Sequence, residues 1–258
     1  MPLFARFRAL PDKDKATLIR KLVENGTPDF DYFYLIGLST LMATLGLLLD
    51  SGSIVIGSML LAPLMYPILG VSMGLVMMGT NINLLHRAVS TLTKSLGIGL
   101  FLSVTAAFFF GNEASYQTAE VLARTMPSHL HLLVALVAGA AVAYVLARPE
   151  WGDALPGVAI SVALIPPLAS IGIGIAALDP VIIRGASMIL LLNLFGIIAI
   201  SVMIFLLMNL GEKENIAVST VIREEKKRVT EDKVIQEMAN RITIKKDATT
   251  IIKEDIKA

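Results

Sequence analysis

The chain of 258 residues contains no cysteine. Disulfides, thiolate zinc sites and thiol nucleophiles are therefore excluded together. Charge is scarce too. Asp, Glu, Lys and Arg make up 17% of the residues, where an average soluble domain carries roughly a quarter. That charge is concentrated before residue 31 and after residue 211, and hydrophobic residues supply 55% of the whole. A middle section with so little charge predicts a lipid-covered surface. The net charge of +1 leaves no basic face to suggest a nucleic-acid partner. The three histidines, His86, His129 and His131, fall near the ends of apolar runs, and no cluster of ligating side chains predicts a metal or other cofactor. Ser58 lacks a Gly-x-Ser-x-Gly elbow, and Asp50 and Asp153 fall at opposite interfaces, so no intramembrane catalytic centre is expected.

What is present is a series of long uncharged runs. A helix needs about 20 apolar residues to cross the ~30 Å hydrocarbon core. Six runs qualify: Tyr32–Leu49, Ile54–Gly79, Ala88–Gly111, His131–Ala147, Ala154–Leu178 and Gly185–Gly211. The first thirty residues mix Arg6, Arg8, Lys13, Lys15, Arg20 and Lys21 with acids ahead of the first run, which does not read as a cleavable signal. Lys and Arg content of short loops sets orientation. Nineteen basic residues fall on one side, in the amino-terminal segment, at Arg87, at Arg148 and in the tail after residue 211. Two, Arg124 and Arg184, fall on the other, and Lys94 lies inside a run. The expectation is a multi-pass protein of the cell membrane with both termini cytoplasmic.

The domain reading follows: an amphipathic cytoplasmic segment 1–31, a transmembrane domain 32–211, and a charged cytoplasmic tail 212–258. Within the membrane domain, residues 32–111 and 131–211 form two repeats around an outer loop 112–130. Ser58 and Pro63 share a Ser-x4-Pro pattern with Ser161 and Pro166, and Arg87…Ser90 is echoed by Arg184…Ser187. Three spans per half is an odd number, so the second half enters from the opposite side, as in the inverted repeats of secondary transporters.

Proline in a helix interior removes a backbone hydrogen bond at a cost of ~3 kcal/mol or more. Backbone freed in lipid has to face protein or a wet cavity. Pro63 and Pro67 in the second run, and Pro166 and Pro167 in the fifth, predict two helices broken near mid-bilayer. Beside them lie Ser58, Tyr66, Ser161 and Ser170. With Lys94 and Asn193, polar residues at depth, they make up a candidate path for a small polar solute or ion. Snorkelling would explain Lys94 equally well, and a helix-to-helix hydrogen bond Asn193. In the outer loop, Glu120 and Arg124 stand four apart in the favourable order, predicting a short surface helix that Pro127 ends. Lys13–Asn25 is amphipathic, with Leu18, Ile19, Leu22 and Val23 on its apolar side. It fits the inner leaflet, the tail or packing on the protein. The tail carries Lys226, Lys227 and Arg228 and suits subunit assembly, which makes a homo-oligomer an expectation. A membrane scaffold or sensor acting through that tail is the alternative to transport.

Leu38…Leu49, Ile56…Pro67, Thr118…Pro127 and Gly157…Pro167 occur in order and resemble the prokaryotic "uncharacterised hydrophobic domain" family, domain of unknown function 389, over roughly residues 30–210. The resemblance implies the multi-span architecture and no particular activity. His131 stands where that family's pattern leads one to expect an acid.

Overall fold

The computed structural model describes residues 12–24, 29–78, 82–146, 154–210 and helical positions 216, 219–223, 226, 229 and 230, with backbone alone at 12 and 154–163. Two compact units divide the chain, Met1–Val218 and Ser219–Ala258. In the second, the described positions are helical, and the rest of the tail, including Lys227 and Arg228, lies outside the described residues. The first unit is built from α-helices, and no strand occurs among the described residues.

The helices in chain order are α1 (Asp12–Glu24), α2 (Phe30–Leu48), α3 (Gly52–Met59), α4 (Met65–Val76), α5 (Ile82–Phe110), α6 (Ala119–Leu122), α7 (His129–Leu146), α8 (Ala154–Ala176) and α9 (Pro180–Leu207). Four of them, α2, α5, α7 and α9, are long and apolar enough to cross a membrane, which makes this a membrane protein. α2 packs on α3, α5 and α8; α9 packs on α4, α7 and α8; α5 lies between α2, α4 and α8.

α1 turns Leu18, Ile19, Leu22 and Val23 inward, all buried, and rests on α4. Of the three docking modes open to its apolar face, the protein itself takes it up. α2 begins where Asp29 accepts a hydrogen bond from the Tyr32 N–H at 2.8 Å, a side-chain N-cap.

The second uncharged run is interrupted. α3 stops at Met59, α4 starts at Met65, and Pro63 lies in the linker between them. Pro63 cannot donate to the helix, and it disfavours helical backbone at Ala62. The Leu60 and Leu61 amides tighten onto carbonyls three residues back instead, at 3.3 and 3.2 Å. Ser39 of α2 donates to the Ser58 carbonyl at 2.7 Å, so protein meets part of the released backbone. Pro67 breaks nothing: it sits in the first turn of α4, where a missing N–H has no helical partner to lose.

The fifth run departs from expectation. α8 continues through Pro166 and Pro167 from Ala154 to Ala176 without a break. The reason lies in packing. Both prolines and every residue from Leu164 to Gly174 are buried, and α2, α5, α7 and α9 surround the helix. Tertiary contacts on all sides hold the segment helical despite two missing donors, as they override intrinsic preference elsewhere.

The turns after α2 and α8 share one geometry. Asp50 and Leu178 both have φ of 53°. The Ser51 and Asp179 amides reach back to the Gly46 and Gly174 carbonyls at 2.9 Å, the six-to-one bond of a Schellman cap. An Asp tolerates this left-handed backbone; a Leu does so at a cost. Leu178 is also 86% exposed, so its side chain repays little. Leu178→Gly is expected to raise stability by about 1 kcal/mol, read as a thermal midpoint a few degrees higher in lipid nanodiscs.

Candidate functional site

Hydroxyls tie the middle of the bundle together. Tyr32 and Ser95 join α2 to α5 at 2.8 Å. Thr44 donates to Ser103 at 2.9 Å, and Ser103 donates to the Ala169 carbonyl of α8 at 2.9 Å. Each bond saves a polar group from burial without a partner, which costs free energy in a low-dielectric interior. Among the described residues the buried hydroxyls of Ser170 on α8 and Ser201 on α9 have no hydrogen-bond partner.

The loop 112–130 is docked at two places. Thr118 donates to the Leu47 carbonyl at 2.8 Å and caps α6 by accepting from the Val121 N–H. The Glu120 N–H donates to Asp50 at 2.9 Å. A Cβ added at Gly52 would meet the Glu120 carboxylate. Further along, the Thr125 carbonyl lies directly over Gly185 of α9, where only a glycine fits. The expected surface helix is present as the single turn α6, and the expected pair forms: Arg124 and Glu120 lie 2.7 Å apart.

Behind this loop lies a cavity of about 690 Å³. Pro166 and Pro167 of α8 and Asn193 of α9 line its floor. Ile56 and Met59 of α3 face Leu130, His131 and Val134 of α7, and Glu120, Ala123 and Arg124 close it from above. Asn193 is 5% exposed. His131 accepts from the Ser128 N–H through Nδ1 at 3.2 Å, which puts the proton of the neutral ring on Nε2. Among the described residues no group of three His, Asp or Glu side chains could hold a metal ion.

The cavity thus collects Pro166, Pro167, Asn193, Glu120 and Arg124 from the residues singled out in the sequence. It does not collect the others. Ser58 is buried against its own helix, donating to the Val55 carbonyl at 2.6 Å. Pro63, Tyr66 and Pro67 belong to the α3–α4 linker and the start of α4 and do not line it. Ser170 is buried one turn beyond Pro167, and the Ser161 side chain lies outside the described residues. Lys94 is exposed on α5 and does not line the cavity, because Thr91, Leu92, Ser95 and Gly99 take that helix's inward face. An ammonium there is served by snorkelling to the interface.

Sequence reasoning missed His131, Ile56, Met59 and Val134. For His131 a signal existed, since it follows Pro127 and opens the span below the loop. The apolar residues carried none.

These features define a membrane protein, all-helical among the described residues, with a cavity lined by four helices and the loop 112–130. The family model described as "Domain of unknown function (DUF389)" matches residues 59–199, more than half of the chain, and the chain belongs to that family. Every cavity residue except Ile56 falls within the match. Neither the curated proteins nor the solved structures gave a match.

Proposed function

We propose that the protein is a membrane transporter or channel, not an enzyme, whose path for a solute bearing polar groups begins in this cavity. The observation that carries the reading is a buried amide, Asn193, and two helix-interior prolines at the floor of a cavity roofed by an ion pair. In α8 the prolines leave the carbonyls of Val162 and Ala163 without helical donors, a local supply of acceptors at depth.

Six crossings follow if α3 and α4 count as one interrupted crossing and α8 as another, each long enough for the hydrocarbon core. With the excess of Lys and Arg on one side, both termini are cytoplasmic. Matched glycine contacts support an inverted repeat. Gly74 of α4 abuts Leu85 of α5, and Gly174 of α8 abuts Ile182 and Ile183 of α9. Gly99 of α5 abuts Thr40 of α2, and Gly196 of α9 abuts Ala135 and Leu132 of α7. In that scheme the interruption at Pro63 and the paired prolines of α8 are counterparts, one a break and one a helix with missing bonds.

Because the natural chain has no cysteine, Asn193→Cys introduces a single thiol. A membrane-impermeant methanethiosulfonate is expected to modify it at least tenfold faster from the side of loop 112–130 than from the other. Modification is expected to suppress leak of ions or polar solutes from reconstituted vesicles. A thiol at 193 inert from both sides would end the proposal.

A further inference from the structure

We infer that the cavity admits a membrane-resident amphiphile sideways between α3 and α7, cradling a zwitterionic head at the Glu120–Arg124 pair while the chain stays in the bilayer. The inference rests on the path reading above and names the class of its cargo.

The rim carries the first part of the argument. Ile56, Leu130 and Val134 line the cavity yet are 60, 65 and 60% exposed, whereas Met59, Ile189 and Asn193 behind them are buried. Neighbouring Leu60, Leu133 and Val137 are exposed as well. On helices of a membrane protein such a face meets acyl chains. Among the described residues α3 and α7 share no extensive packing, which leaves a gap between these two faces. This gap faces lipid, and what enters through it must be soluble there.

The charges carry the second part. Glu120 and Arg124 neutralise one another across 2.7 Å. A bare cation would approach the guanidinium as closely as the carboxylate, and a bare anion would meet the reverse problem. A zwitterion presents both signs and matches both partners. Size and lining supply the third. About 690 Å³ is the scale of a small-molecule site, and most lining side chains are apolar. The Asn193 amide and the His131 ring add hydrogen-bonding groups suited to a head.

The test uses the full chain in phosphatidylcholine nanodiscs and three sixteen-carbon probes with a mid-chain diazirine: a lysophosphatidylcholine, a fatty acid and a quaternary alkylammonium. Labelled residues are mapped by mass spectrometry. Phe101 and Phe108, exposed on α5, serve as the standard for ordinary lipid contact and report that each variant is folded and inserted. The zwitterion is expected to label Ile56, Leu130 and Val134 at least fivefold above that standard, and the other two probes near it. Glu120→Gln is expected to raise labelling by the fatty acid at least threefold, Arg124→Gln to raise that by the ammonium equally, and both to lower that by the zwitterion. A rim-to-α5 ratio near one for all probes, or a ratio indifferent to both substitutions, overturns the inference. Capture of the zwitterion with no amphiphile crossing the bilayer would remove the transport reading alone. Passage of ions with a ratio near one would remove the amphiphile alone.

Discussion

Gly172→Ala is expected to drive α5 and α8 apart and lower the thermal midpoint by about 10 °C. A Cβ at Gly172 would fall on the Cβ and hydroxyl of Ser103 and close to its carbonyl carbon, so the neighbour cannot yield by rotating a side-chain tip. Overpacking of this kind costs about 1–3 kcal/mol. Ser103 would also lose its place between Thr44 and the Ala169 carbonyl, at about 1 kcal/mol per hydrogen bond. The sum is about 3–5 kcal/mol, or ~10 °C for a chain of this size. Gly97 on the same helix provides the contrast. Nothing lies within 4 Å of a Cβ built there, so Gly97→Ala should be neutral or gain up to about 1 kcal/mol from helix propensity. Differential scanning of the two variants in one lipid settles the matter. Equal midpoints would mean that α5 and α8 do not meet as described.

Pro166→Ala with Pro167→Ala is expected to trade access for stability. Alanine restores two helical donors to a segment that is already helical. Each interior proline costs ~3 kcal/mol of propensity, part of which the surrounding helices have absorbed, leaving a net gain of about 3 kcal/mol and a midpoint ~10 °C higher. The same change restores helical donors to the Val162 and Ala163 carbonyls and flattens the wall beneath the Glu120–Arg124 pair. Modification of the thiol in Asn193→Cys should then slow at least tenfold. A double variant that is no more stable and reacts as fast would reduce the two rings to packing.

The contrast between the proline pairs explains where sequence reasoning succeeds. An uncharged run announces a helix, because lipid leaves the backbone no other partner, and α2, α5, α7 and α9 lie where their runs predict. Pro63 announces an interruption because its effect is local. Pro166 and Pro167 give the same signal, yet α8 runs through them, since the outcome depends on neighbours far away in the chain. The Glu120–Arg124 pair was legible from spacing alone. Lys94 was not, because a charge within a run says nothing of which face it occupies. Ile56, Met59 and Val134 share the limit, as apolar residues in lipid have no inside or outside until helices pack around them.

The double attachment of the loop 112–130 has a mechanical consequence. Between Thr118, fastened to the α2–α3 corner, and Thr125, seated on Gly185 of α9, run only a few residues, stiffened by a helical turn and an ion pair. A strut that short fixes the separation of the two helix tops. Helices clamped at their heads can spread only at their feet, so any rocking of α2 against α9 must pivot at the loop and take its widest swing at the far ends of the two helices.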